Sequence, residues 1–241
     1  MHRPDDPRLH PTQPEPDMPD PSPPRALLLD FDGTIADTLP LIFDAFRHAV
    51  SPWADRPPTD AEVEATFGPA ERACLAEFAP EHVLDEAEAR FFDHYEREHE
   101  RMVRLVDGIA EAIDHARDFG WRVGVFTGKG RRAAVFSLEA LGLLDRVDCI
   151  VSGDDVDRPK PDPDGLFRAA RLMGVEPTEV LMAGDSPADI RAGRSAGALT
   201  CAVTWAAFRP ERLQAEAPDH SCSRVEDLIA LIDSLHRRHR G

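Results

Sequence analysis

Two aspartates set one residue apart, Asp30 and Asp32 in the stretch LLLDFDGTIADT (Leu27 to Thr38), are the groups of this chain best placed to do chemistry. An apolar run of strand character ends at them, and Gly33 and Thr34 follow at once. Where a strand opens into a loop, both carboxylates can turn into one polar pocket while Phe31 points back to the core. Carboxylates that close repel each other, and the usual remedies are a hard cation or a shared proton. The pair therefore points to a metal, an acid/base role, or both.

The elements that must position this pair emerge from the hydrophobic pattern. Ala26 to Phe31 reads as a buried strand. From Pro40 to about Met102 the period is helical: Leu41, Phe43, Ala45, Phe46 and Val50 share a face, and Pro52, Pro57 and Pro58 break the first helix. Thr59 or Asp60 can cap the next helix, Phe67-Gly68-Pro69 turns the chain, and helices follow over Ala70 to Phe78 and Val83 to Glu100. No strand is evident in this interval. After Leu105 the pattern alternates, with strands at Arg122 to Phe126, Val147 to Val151, Val180 to Ala183 and Leu199 to Val203. Helices fall at Gly108 to Asp118, Arg131 to Leu141, Pro163 to Met173, Pro187 to Ser195 and, last, Val225 to His236.

Short strands alternating with helices imply an α/β fold: a Rossmann-like, mostly parallel sheet covered on both faces, interrupted by a small inserted all-helical cap domain. The chain divides into a proline-rich tail (1–24), a first piece of the core (25–38), the helical cap (39–103) and the rest of the core (104–241). The tail mixes proline with acids, lacks an apolar period and reads as disordered. In such sheets ligands collect beyond the carboxyl ends of the strands. Polar residues stand there after four of the five strands: Asp30 and Asp32, Thr127, the Arg158-Pro159-Lys160 loop, and Asp185 with Asp189. These separate signals converge on one cavity.

Bulk composition sets further bounds. A length of 241 residues suits one domain or a core with a smaller attachment. The formal charge of -17 argues against binding a nucleic-acid backbone, though a local cation would still let the chain take a phosphorylated small molecule. Cys74, Cys149, Cys201 and Cys222 have neither metal-ligand nor redox spacing and suggest a reducing compartment. No stretch resembles a signal peptide or reaches the length of a membrane span, so the expectation is a cytoplasmic protein without a membrane partner. Its oligomeric state, monomer or homodimer, is left open.

DFDGTIADT, VFTGK, the RPKPDP segment and GDSPADI, in this order and spacing, resemble the four motifs of the haloacid dehalogenase superfamily. The arrangement is similar to the phosphoglycolate phosphatase and beta-phosphoglucomutase branch, from about Arg25 to at least Val203, and the insert resembles that family's small helical cap of the first type. The resemblance implies that Asp30 attacks phosphorus to form an aspartyl-phosphate, and that Asp32 protonates the leaving oxygen and then activates water. It also implies a Mg2+ held by the Asp30 carboxylate, the Asp32 carbonyl and Asp185, with Asp189 reaching it less directly or through water. Thr127 would donate its hydroxyl to a phosphoryl oxygen, helped by the Gly128 amide, and Lys160, between Pro159 and Pro161, would place a fixed positive charge there.

Gly33 and Thr34 would permit the tight turn and line the phosphate pocket with amides. Lys129 is either a substrate contact or a surface charge. In the cap, Arg47, His48, Phe67, Gly68 and Arg72 are candidate contacts, since arginine recognises carboxylate and phosphate well. Trp205 and Phe208 could border the pocket. The implied activity is a phosphatase for a small phosphomonoester, phosphoglycolate first, with pyrophosphate or a mutase reaction as alternatives. Gly184 stands where the mutase signature has glutamate, Asp32 argues against a dehalogenase, and the lysine-free insert argues against a phosphonate hydrolase.

Overall fold

The computed structural model describes residues 24–207 and 209–238. Almost all of the expected tail, and Phe208, lie outside them. Strand β1 (Ala26–Leu29) is buried along its whole length, because it runs up the middle of a sheet. Its pleat sends alternate side chains to opposite layers. Leu27 and Leu29 join one hydrophobic cluster, while Ala26 and Leu28 join another.

The chain then passes through a two-residue strand β2 (Ala36–Asp37) into four helices, α1 (Leu39–Val50), α2 (Asp60–Glu64), α3 (Glu71–Leu75) and α4 (Leu84–Met102). It returns through β3 (Arg104–Leu105), which pairs antiparallel with β2, so entry to and exit from the insert run side by side. Helix α1 packs against α4, and an aromatic cluster of Phe46, Phe91, Phe92 and Tyr95 fills the seam. Thr59 starts α2 with a reciprocal capping box to Glu62, a device worth about 1 kcal/mol.

Beyond the insert come α5 (Ile109–Asp118), β4 (Arg122–Phe126), α6 (Arg131–Ala140), β5 (Cys149–Val151), α7 (Asp164–Met173), β6 (Val180–Gly184), α8 (Pro187–Ala196), β7 (Leu199–Val203), β8 (His220–Cys222) and α9 (Val225–Arg238). Six strands form the main sheet in the order β5-β4-β1-β6-β7-β8, each neighbouring pair parallel. Helices α5 and α9 supply Ile109, Ile113, Leu228 and Ile232 to one face. Helices α7 and α8 supply Leu166, Ala170 and Ala192 to the other. The order reverses between β1 and β6, and the crevice of a doubly wound sheet opens at such a switch. Both flanking strands end there in aspartates.

The α/β reading therefore holds, with two additions. Strand β8 is short and polar at its start, and pairs within the sheet only with β7, so it carries little pattern of its own. The β2–β3 ladder is too short for any periodicity. Among the described residues no helix is long and apolar enough to cross a membrane.

Candidate active site

The backbone leaves β1 in a tight loop. The Phe31 amide donates to Asp30 Oδ1 at 2.7 Å, and the Ile35 amide donates to the Phe31 carbonyl at 2.9 Å. Gly33 takes φ +76°, and a Cβ built on it would lie 2.2 Å from Asp185 Oδ2. Only glycine satisfies both the left-handed backbone and this approach. Gly33→Ala is expected to cost about 1–3 kcal/mol and to push the Asp185 carboxylate aside, measured as a lower urea midpoint at an unchanged slope.

Lys160 organises the carboxylates beside this loop. Its Nζ donates to Asp189 Oδ1 at 2.6 Å, lies 2.9 Å from Asp30 Oδ1, and reaches the Phe126 carbonyl at 3.1 Å. Burial works against its charge, but Asp189 and Asp30 outweigh burial and raise the ammonium above its ordinary range. Asp189 is held in turn by the start of α8: Ser186 is the N-cap, and its amide and hydroxyl donate to Asp189 Oδ2 at 3.0 and 2.7 Å. Pro187 at the first helical position sets this turn. Asp185 accepts from Thr34 Oγ1 at 3.3 Å.

Oxygens of Asp30, Asp185 and Asp189 lie within 4.8 Å of one another. Burial first, then the charge of Asp189, pushes the Asp30 carboxyl up to about 7, although Lys160 acts in the opposite sense. Burial and the charges of Asp30 and Asp189 likewise raise Asp185 well above the ordinary carboxylate range.

The Asp32 side chain turns away from that trio. Its Oδ1 accepts from Thr38 Oγ1 and lies 3.1 Å from Lys129 Nζ. Lys129 is thus no surface charge: its side chain is only 2% exposed and sits over the Tyr95 ring of α4, 4.9 Å from the centroid, and it belongs to the lining of the cavity over these carboxylates. Burial opposes its charge, but Asp32, Tyr95 and Glu71 hold the ammonium above its usual range. Tyr95 Oη and Ser137 Oγ share a hydrogen bond at 2.9 Å, and His99 Nε2 meets the same Ser137 oxygen at 3.0 Å. Glu71 of α3 accepts from the Gly130 amide at 2.8 Å. The insert is therefore tied directly to the loop after β4.

In both aspartates of the first motif, a lysine and a second donor hold Oδ1. For Asp30 these are Lys160 and the Phe31 amide; for Asp32 they are Lys129 and Thr38. Each Oδ2 is left without a donor among the described residues.

A cavity of about 260 Å3 lies over these groups, between sheet edge and insert. Asp30, Asp32, Thr127, Gly128, Lys160 and Asp185 line it. Thr127 is buried, and its hydroxyl accepts from the Lys129 amide at 3.2 Å. Gly33 and Thr34 are not in the lining; their amides donate to the Ala36 and Phe31 carbonyls, so they serve the turn rather than an anion cradle. Arg47 and Arg72 are not there either. Arg47 pairs with Asp60 at 2.6 Å, and Arg72 with Asp85 and Glu88 at 2.8 and 2.9 Å, each drawn to carboxylates of the insert. Phe67 and Gly68 do line the cavity, whereas Trp205 anchors the first loop by donating to the Thr34 carbonyl at 3.0 Å.

The sequence reading missed Glu64, Glu71, Tyr95, Arg209 and Arg212. One signal was present for Lys129: among 28 Lys and Arg the chain has only two lysines, and both are at this site.

Comparison with known proteins agrees with this architecture. The profile of the family described as haloacid dehalogenase-like hydrolase matches residues 27–203. A protein named pyrophosphatase PpaX from Anoxybacillus flavithermus is 30% identical over 212 residues, 88% of this chain and 98% of that one. A pyrophosphatase PpaX from Bacillus cereus is 28% identical, over 88% of this chain and 97% of its own length. Among solved structures, a predicted phosphoglycolate phosphatase from Haemophilus somnus superposes with a TM-score of 0.77 at 20% identity, covering 86% of this chain and 97% of that one.

Proposed function

The chain belongs to the haloacid dehalogenase-like hydrolase family, and from that premise we propose that it is a Mg2+-dependent phosphatase acting on a small phosphorylated metabolite through a phosphorylated Asp30. One observation carries the reading: Asp30 and Asp32 line the same cavity, each fixed through Oδ1 by its own buried lysine, with Oδ2 left for chemistry.

The donor set fits a hard divalent cation. Three carboxylates converge within 4.8 Å, and burial together with mutual charge lifts two of them out of their ordinary range. Asp30, Asp185 and the Asp32 carbonyl would hold the ion, while Asp189 stands beside them holding Lys160. When bound, Mg2+ supplies Lewis-acid stabilisation and screens the anionic nucleophile from an anionic substrate.

The side chains then divide the work. Asp30 Oδ2 forms a bond to phosphorus as the ester P–O bond breaks, and Asp32 Oδ2 gives its proton to the departing oxygen. In the second half Asp32 takes a proton from water, whose oxygen attacks phosphorus and releases Asp30. One carboxyl serves both directions because the first step leaves it deprotonated. Lys160 neutralises charge at Asp30, and the Thr127 hydroxyl can turn to a phosphoryl oxygen. The insert closes the cavity from water and meets the leaving group.

Phosphoglycolate is the first candidate substrate. Pyrophosphate is the second, supported by the name of the curated relatives. The mutase alternative loses ground at Gly184, where an added Cβ would lie 2.4 Å from Asp189 Cγ, so a glutamate does not fit beside this Asp189. The deciding experiment is phosphate release across phosphoglycolate, pyrophosphate, hexose phosphates and nucleotides, with product analysis for isomers. Turnover is expected with Mg2+ and is lost in EDTA. Millimolar Mg2+ is also expected to raise the melting temperature of the EDTA-treated protein, since the ion binds only the folded carboxylate cluster. Activity indifferent to EDTA would remove the metal from the scheme.

A further inference from the structure

The cations next to the reacting aspartates are already committed. Lys160 serves Asp30 and Asp189, and Lys129 serves Asp32. Phosphoryl charge can be met there, but a second anionic group on the same substrate needs another partner. Much of the cavity wall contributed by the insert, Leu39, Ile42, Phe46, Phe67 and Phe91, offers none.

Two further cations line this cavity. Arg209 and Arg212 stand on the segment between β7 and β8, with side chains 34% and 54% exposed, which places them at its rim. Both face Glu64 of α2. Arg209 Nε donates to each Glu64 oxygen at 2.9 Å and its Nη2 lies 2.8 Å away, while Arg212 Nη1 reaches the same carboxylate at 3.4 Å. Two guanidinium groups thus share the Glu64 carboxylate at the rim of the cavity.

A half-exposed ion pair contributes little to stability, so holding two arginines on one glutamate at a cavity rim is poorly explained by the fold. Guanidinium groups bind carboxylate and phosphate through paired N–H donors, and they keep their charge at any working pH. We propose that Arg209 and Arg212 form a subsite for a second anionic group carried by the substrate's leaving portion, phosphate or carboxylate, with Glu64 holding both arginines in place until it arrives. The subsite rests on the phosphatase reading and narrows its substrate to compact phosphates bearing two anionic groups. Arginine placement then selects against esters with a neutral leaving group of the same size.

The test compares wild type with Arg209→Gln, Arg212→Gln and the double variant, all with Mg2+, after unfolding midpoints confirm the fold. Calorimetry measures affinity for imidodiphosphate, a non-hydrolysable bis-anion, and for inorganic phosphate. Kinetics follow pyrophosphate, phosphoglycolate and p-nitrophenyl phosphate, whose leaving group bears no second anion in the bound ester. The double variant is expected to lose roughly 10- to 100-fold in affinity or kcat/KM toward a bis-anionic ligand, with inorganic phosphate and p-nitrophenyl phosphate within about 3-fold of wild type. A loss confined to pyrophosphate and imidodiphosphate assigns the subsite to phosphate, and one confined to phosphoglycolate assigns it to carboxylate. The single variants keep the result decisive if the double variant folds poorly. Equal effects on all ligands, or none, overturn the subsite while leaving the phosphatase reading intact. Arginine-dependent binding of imidodiphosphate without turnover of any ester does the reverse.

Discussion

Asp30→Asn is expected to abolish phosphate release, by roughly 10^4-fold or more, because no other group can take the place of a covalent nucleophile. The substitution keeps the volume of the side chain and an acceptor oxygen for the Phe31 amide, 2.7 Å away, so the loop has no reason to collapse. It removes the oxygen proposed to bond to phosphorus. Intact mass after acid quench is expected to show a phosphorylated fraction in wild type and none in the variant. Activity within about 10-fold of wild type would sink the nucleophile assignment.

The same variant has a stability signature with a definite sign. In the metal-free protein the folded-state Asp30 carboxyl is pushed up to about 7 from an ordinary 3.8. The folded state therefore holds this proton more tightly than the unfolded one. Its contribution is fully present below about pH 4 and is lost as pH rises through about 7. Asparagine cannot ionise, so the variant escapes that loss. In EDTA, wild type is expected to fall behind Asp30→Asn in unfolding free energy between about pH 4 and pH 8, and the gap is expected to close again at the acid end.

Lys160→Met is expected to do the most damage to the fold. The lysine side chain is 7% exposed and that of Asp189 fully buried, and the ammonium stands between two carboxylates. Removing it leaves both carboxylates facing each other and Asp185 without the cation that opposes their charge. Breaking a buried pair from one side typically costs about 3–5 kcal/mol. Urea unfolding in EDTA is the direct measurement, and adding Mg2+ is expected to recover part of the loss, since a cation again stands among the carboxylates. Turnover falls as well, because the transferring phosphoryl group loses a fixed charge. Unchanged stability in EDTA would mean that the carboxylates are neutral in the folded protein, with no need of the lysine.

Much of the fold was legible because period and punctuation are local. Arg122 to Phe126 and Leu199 to Val203 were expected as strands and are found with those bounds. Helix α8 starts at Pro187, where the sequence places it, and the Ser186 cap emerges only in the structure. Strand β8 escaped because His220–Cys222 is short and polar at its start, and within the sheet it pairs only with β7. For the site, Asp30, Asp32, Thr127, Lys160 and Asp185 were found as strand-end residues, and the fold does bring them to one cavity. The arginines went the other way: Arg47 and Arg72 carry the right group but spend it on Asp60, Asp85 and Glu88. Arg209 and Arg212, more than 175 residues beyond Asp30, line the cavity instead.

The amino-acid sequence by itself determined the chemical groups, the strand ends on which they sit and the helical insert above them, since propensity, period and turn chemistry act over a few neighbouring residues. Only the tertiary structure decided which charge meets which. Lys129 became the partner of Asp32 and Tyr95, Glu71 reached across from the insert to Gly130, and Glu64 gathered two arginines to the rim. Coulomb energy and desolvation depend on distance through space and on burial, and neither quantity exists until the chain has folded.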